Sequence, residues 1–203
     1  MTTTSPPTPD GGSAPGPISP AQLAEFEEAN RRLRKISNAA KLAAFNGWAA
    51  AILAGISLLV AMLDLSVVGI LAVVVLAVVA VNEFRGRRML LRLDLRGPRE
   101  LGLNQVGLML AVIAYAVWQL VAALAGPNPY AAEIAAEPGL QGSLAPISEM
   151  VRTISVLVYA SLIVLTLVFQ GLNAWYYFTR ARCIRSHLAQ TPDWIVQLQR
   201  RSA

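Results

Sequence analysis

The sequence predicts an all-α integral membrane protein, a four-helix transmembrane bundle with juxtamembrane amphipathic helices. Three observations carry this. The 203 residues are 55% hydrophobic and only 14% charged, against about 25% charged in ordinary soluble domains. Apolar runs of membrane length lie at 42–63, 65–82, 103–125 and 151–178, and a run of about 20 such residues spans the hydrocarbon layer as a helix. Finally, 16 of the 17 Lys and Arg residues fall in three segments between or beyond those runs: before residue 42, from Arg85 to Arg99, and after residue 179. Basic residues collect in cytoplasmic loops because carrying them across a bilayer is costly. The expected topology is therefore four spans with both termini cytoplasmic. Arginine outnumbers lysine heavily and alanine is abundant, a bias of GC-rich bacterial genomes that points to a bacterial inner membrane.

Residues 1–18 are rich in Pro, Gly, Ser and Thr. They bury too little apolar surface to offset the entropy of ordering, so a disordered tail is expected. They also lack the basic and short apolar regions of a secretion signal. An amphipathic cytoplasmic helix is expected over 19–41. Ser19, Pro20 and Gln22 form a capping box with proline at the first helical position. Leu23, Phe26, Leu33, Ile36 and Ala40 then share one face. Glu27 with Arg31 and Glu28 with Arg32 are spaced as i,i+4 pairs. This helix suits either the membrane surface or pairing with another helix, where Asn30 resembles the polar position of a coiled coil.

The first two runs cannot be one helix, which would reach about 60 Å, twice the hydrocarbon thickness. Asp64 marks the hairpin between them. Residues 83–102 read as a basic cytoplasmic loop containing a short helix, with Gly97-Pro98 as a breaker. Residues 127–149 hold four Pro, three Glu and no Lys or Arg, the composition of an outer loop. The basic tail, 179–203, restarts at Thr191 and Pro192 as a short surface helix with Trp194, Ile195 and Leu198 on its apolar face.

Each span carries an asparagine near its cytoplasmic end: Asn46, Asn82, Asn104 and Asn173. Neighbouring them are Trp48, Phe84, Gln105 and Trp175. The pattern is that of two related helical hairpins, although asparagine and aromatic residues favour membrane interfaces in any case. Polar stripes follow on span 4 (Ser155, Tyr159, Thr166, Gln170, Asn173), span 3 (Asn104, Tyr115, Gln119) and span 1 (Asn46, Ser57, Asp64). Such side chains face a bundle interior and serve as interhelical hydrogen-bonding groups or as a polar path. The first role is favoured because no ionisable residue lies midway along any span.

Asp64 and Arg152 approach the same outer surface and are candidates for an ion pair, as is Glu149 with Arg152. Glu83 is placed to pair with Arg87. Arg85, Arg87, Arg88, Arg180, Arg182 and Arg185 are placed to meet anionic lipid headgroups. Cys183 is the only cysteine and His187 the only histidine, so a Cys- or His-built metal site within one chain is not expected. No phosphate loop, dinucleotide fingerprint, zinc-protease helix or nucleophile elbow is present. No catalytic residue, cofactor or nucleic-acid partner is expected. The leading expectation is a non-enzymatic scaffold or accessory subunit that contacts membrane lipid, a protein partner or a second copy through its basic face. The alternative is a small oligomeric channel or transporter with a polar path between spans 1, 3 and 4.

Overall fold

The structure, a computed structural model, describes residues 19–64, 67–128, 130–137, 139 and 141–201, the side chain of Asp64 excepted. Among the described residues 93% are helical and none is in a strand, so the protein is all-α. The helices are α1 (Pro20–Asp64), α2 (Val67–Leu91), α3 (Arg96–Ala125), α4 (Ala131–Ala136), α5 (Gln141–Gln190) and α6 (Asp193–Arg201). Four of them, α1, α2, α3 and α5, are long and apolar enough to cross a membrane.

The amphipathic segment and the first apolar run are one element. α1 continues for 45 residues without a break, because nothing between Ala39 and Ala54 disfavours a helix strongly enough to stop it. At 1.5 Å per residue it is about 68 Å long. The 50-residue α5 reaches about 75 Å by the same measure. It begins inside the segment read as an outer loop and continues well into the segment read as a tail. Both rods exceed the roughly 30 Å hydrocarbon thickness, and their basic ends pack together beyond the apolar runs.

The long helices pack as neighbouring pairs, α1 on α2 and α3 on α5, with α2 also against α3 and α1 against α5. The main core lies toward the basic end. Ile36, Ala39, Ala40 and Ala43 of α1 meet Leu90, Leu93, Leu101, Tyr177, Ile184 and Val196. A smaller patch joins Ala50, Val79 and Ala80 with Ala51 and Leu108. By contrast, only 6% of the most apolar stretch of α3, and 6% of that of α5, is buried. The face of α1 is thus set by alanines. Ala29, Ala39 and Ala43 are buried, whereas Leu23 is half exposed, because small side chains let a second helix approach closely.

The α2–α3 connection also departs from the expected loop. α2 closes in a Schellman arrangement, with the Asp94 N–H donating to the Met89 carbonyl at 2.9 Å and the Leu93 N–H to the Leu90 carbonyl at 3.0 Å. Leu93 takes the left-handed conformation, φ 57°, at the position usually given to glycine. The Arg96 N–H then bonds the Asp94 carboxylate at 2.9 Å. Gly97-Pro98 does not break a helix; it lies in the first turn of α3, where proline's missing N–H is not needed. Close packing follows from Gly86 and Gly102. A Cβ on Gly86 would collide with the Leu101 side chain, and one on Gly102 would sit 2.6 Å from the Phe178 ring.

α6 starts where the proline signal places it, but it turns a different face inward. Ile195, Val196 and Gln199 are buried, while Trp194 and Leu198 are exposed, because α6 packs on α1 and α5. The expected disordered tail, residues 1–18, lies outside the described residues.

Candidate functional site

Glu83 is the centre of the best-built polar site. It lies on α2, is fully buried, and faces away from the arginines that follow it. The expected Glu83–Arg87 pair does not form. Its Oε1 accepts from Asn104 Nδ2 at 2.9 Å and from Gln105 Nε2 at 2.6 Å. Its Oε2 accepts from the Tyr177 hydroxyl at 3.4 Å. That hydroxyl in turn accepts from Asn46 Nδ2 at 3.2 Å. Asn82 Nδ2 donates to Asn104 Oδ1 at 3.2 Å, and Asn104 Nδ2 also reaches the Val79 carbonyl at 3.2 Å. All four long helices therefore contribute to one cluster, and no cation is part of it.

Helix geometry explains why a carboxylate lies there. In α2 the buried positions Val79, Ala80, Glu83, Gly86 and Leu90 follow a three-to-four residue spacing. The stripe that meets α3 passes through Glu83, while Arg85, Arg87 and Arg88 fall on exposed positions. Amide donors replace water around the buried carboxyl group, whose burial without hydrogen bonds would be strongly unfavourable. Tyr177 and Glu83 are fully buried and Gln105 is 2% exposed, while Asn82 and Asn104 border a groove of ≈ 610 Å³ between α2 and α3. Gln105 Oε1 has no hydrogen-bond partner.

A second polar group lies farther along α3 and α5. Gln119 Nε2 donates to the Tyr115 hydroxyl at 3.1 Å and to the Tyr159 hydroxyl at 3.0 Å. Thr166 is buried, and Gln170 Oε1 is buried without a partner. Asn173 is half-buried. Its side chain has no hydrogen bond among those of the described residues, so the fourth asparagine stays apart from the Glu83 cluster. At the far end, Arg152 Nη2 bonds the Leu124 carbonyl at 2.6 Å. Its proposed partner Asp64 has a side chain outside the described residues. Glu149 forms no ion pair among the described residues.

The basic end is a folded head. Arg31 bridges Glu28 at 3.0 Å and Arg32 bridges the same carboxylate at 3.3 Å. Arg31 therefore pairs three residues back, not with Glu27. Gln199 Nε2 donates to Asn30 Oδ1 at 3.3 Å, so the polar position on α1 meets α6. His187, buried, lies 3.0 Å from Gln199 Oε1 through Nε2. Arg85 contacts Glu100 at 3.5 Å. Arg87, Arg88, Arg182 and Arg185 are exposed, and Arg180 stacks over Tyr176 at 4.0 Å from the ring centroid.

Tyr177 and the inward turn of Glu83 are the parts that sequence reasoning missed. The sequence carries only a partial signal: Asn46, Glu83, Asn104–Gln105 and Tyr177 each lie within six residues of a basic segment, which gives them a common level but not a common direction. No protein-family model, curated protein or solved structure matches this chain.

Proposed function

We propose that the chain crosses a bacterial inner membrane four times as a helical bundle, with both termini cytoplasmic, and acts as a non-enzymatic scaffold or accessory subunit. Its working surface is the basic head formed by the ends of α1 and α5, α6 and the α2–α3 turn. That surface engages a protein partner beside an anionic lipid layer. One observation carries this reading: the best-packed core lies under the arginine-rich surface, not midway along the apolar runs. Packing of that kind gives the exposed cations fixed positions, which a docking surface needs and a merely solvated tail does not. Sixteen of the 17 Lys and Arg residues belong to the segments that build or adjoin this head, where each basic residue near an anionic leaflet contributes about 1 kcal/mol.

The transporter alternative is supported less well. The Glu83 cluster borders a groove of ≈ 610 Å³, but that groove is lined by α2 and α3 alone and mostly by apolar side chains such as Val74, Val78, Leu103 and Leu108, not by spans 1, 3 and 4 together. Crosslinking in native membranes tests the scaffold reading. A specific protein should co-purify with the wild-type chain and be lost when Arg87, Arg88 and Arg185 are replaced by alanine. Equal recovery with both chains, or no reproducible partner, would reject the proposed surface.

A further inference from the structure

We propose that the groove between the basic ends of α1 and α5 is a binding site for a soluble anion carrying two or more phosphate groups. The groove measures ≈ 580 Å³ and is lined by Arg31, Arg32, Lys35, Arg182 and Ser186, among others. Pockets for small molecules usually fall at roughly 300–1,000 Å³. The inference rests on the reading of this end as a folded cytoplasmic head, and it specifies a ligand for one part of it.

The topology rule accounts for arginines on the cytoplasmic side but not for their convergence. Four cations from two helices share this groove, and the single carboxylate bridged to them is Glu28, which serves both Arg31 and Arg32. Lys35 and Arg182 are exposed and form no ion pair among the described residues. Like charges held together on rigid helices repel, and a multivalent anion removes that cost. Arginine forks match phosphate oxygens in bidentate fashion, and lysine adds a compact charge. Arg32 is already held in place, because its Nη1 donates to the Gln190 carbonyl at 2.9 Å.

Height favours a soluble ligand over a lipid headgroup. Trp48 and Trp175 are exposed at 64% and 67% and mark the interfacial aromatic level. Arg182 lies seven residues beyond Trp175, about 10 Å along the helix, and Arg32 lies sixteen residues from Trp48, about 24 Å. The headgroup layer on one side of a bilayer is only about 5–8 Å deep. Most of the groove therefore stands clear of it.

The test is calorimetric titration of the whole chain in nanodiscs of phosphatidylcholine alone. Inorganic pyrophosphate should saturate one site and bind at least tenfold tighter than orthophosphate. Lys35→Ala with Arg182→Ala should weaken it at least tenfold. Arg87→Ala with Arg88→Ala, which removes equal charge outside the groove, should change it less than twofold. No saturable binding, no preference for pyrophosphate, or equal losses in both double variants would overturn the site. Tenfold weaker pyrophosphate binding in nanodiscs containing phosphatidylglycerol would assign the groove to lipid headgroups and overturn the soluble ligand. The comparison of the two anions on the wild-type chain stands even where a variant does not fold. Absent pyrophosphate binding with partner capture intact would remove this site alone and leave the scaffold reading in place.

Discussion

At Glu83 a carboxylate has left water without a cation to meet it, and its stability depends on three neighbours. Asn104 and Gln105 donate to one oxygen and Tyr177 to the other. Deleting the acceptor strands Gln105 and Tyr177, while Asn104 keeps the Val79 carbonyl, and each buried unsatisfied group costs roughly 1–3 kcal/mol. Glu83→Ala should therefore destabilise the chain by about 3 kcal/mol in denaturant unfolding in detergent. Glu83→Gln keeps one accepting oxygen and should cost about 1 kcal/mol. Equal losses for the two variants would show that volume, not hydrogen bonding, is what the position supplies. The asparagines of this cluster were legible in the sequence. The direction of Glu83 was not, because Arg87 and Asn104 are equally plausible partners until the rotation of α2 against α3 is known.

The connection between α2 and α3 sets two demands against each other. Leu93 adopts a left-handed backbone conformation, which costs a non-glycine residue roughly 1–2 kcal/mol. Its side chain is only 1% exposed and belongs to the main core, and burial of a leucine contributes about 1.5–3 kcal/mol. The packing gain thus offsets the backbone cost. Leu93→Ala should lose burial and keep the strain, a net loss of about 2–4 kcal/mol. Leu93→Gly loses the same burial but releases the strain, so thermal unfolding should find it no less stable than Leu93→Ala. A clearly lower midpoint for the glycine variant would show that the left-handed conformation carries little cost here. The same connection shows why Gly97-Pro98 misleads as a breaker. The pair disfavours a helix interior and is harmless in a first turn, and the preceding Schellman closure decides which of the two applies.

The whole chain is polarised along its long axis. One end holds a packed, arginine-bearing head, and beyond it apolar helices turn Ile52, Leu59, Val74, Leu157 and Phe169 outward. Outward apolar surface on this extent has no favourable place in water, and a lipid or protein surround removes that cost. In the proposed orientation a reporter fused to either terminus should react with a membrane-impermeant reagent only after the cells are opened. Reaction at either end in intact cells would overturn the topology and, with it, the cytoplasmic assignment of the head.

The four apolar runs, the α-helical class and the sorting of charge could be read from composition and periodicity, because each depends on residues close together in the chain. Helix continuity through α1 and α5, the inward turn of Glu83 and the meeting of Lys35 with Arg182 in one groove could not. They depend on how helices rotate and slide against one another, and that is settled by small side chains such as Ala39, Gly86 and Gly102, whose contribution is the absence of bulk at a contact between distant segments.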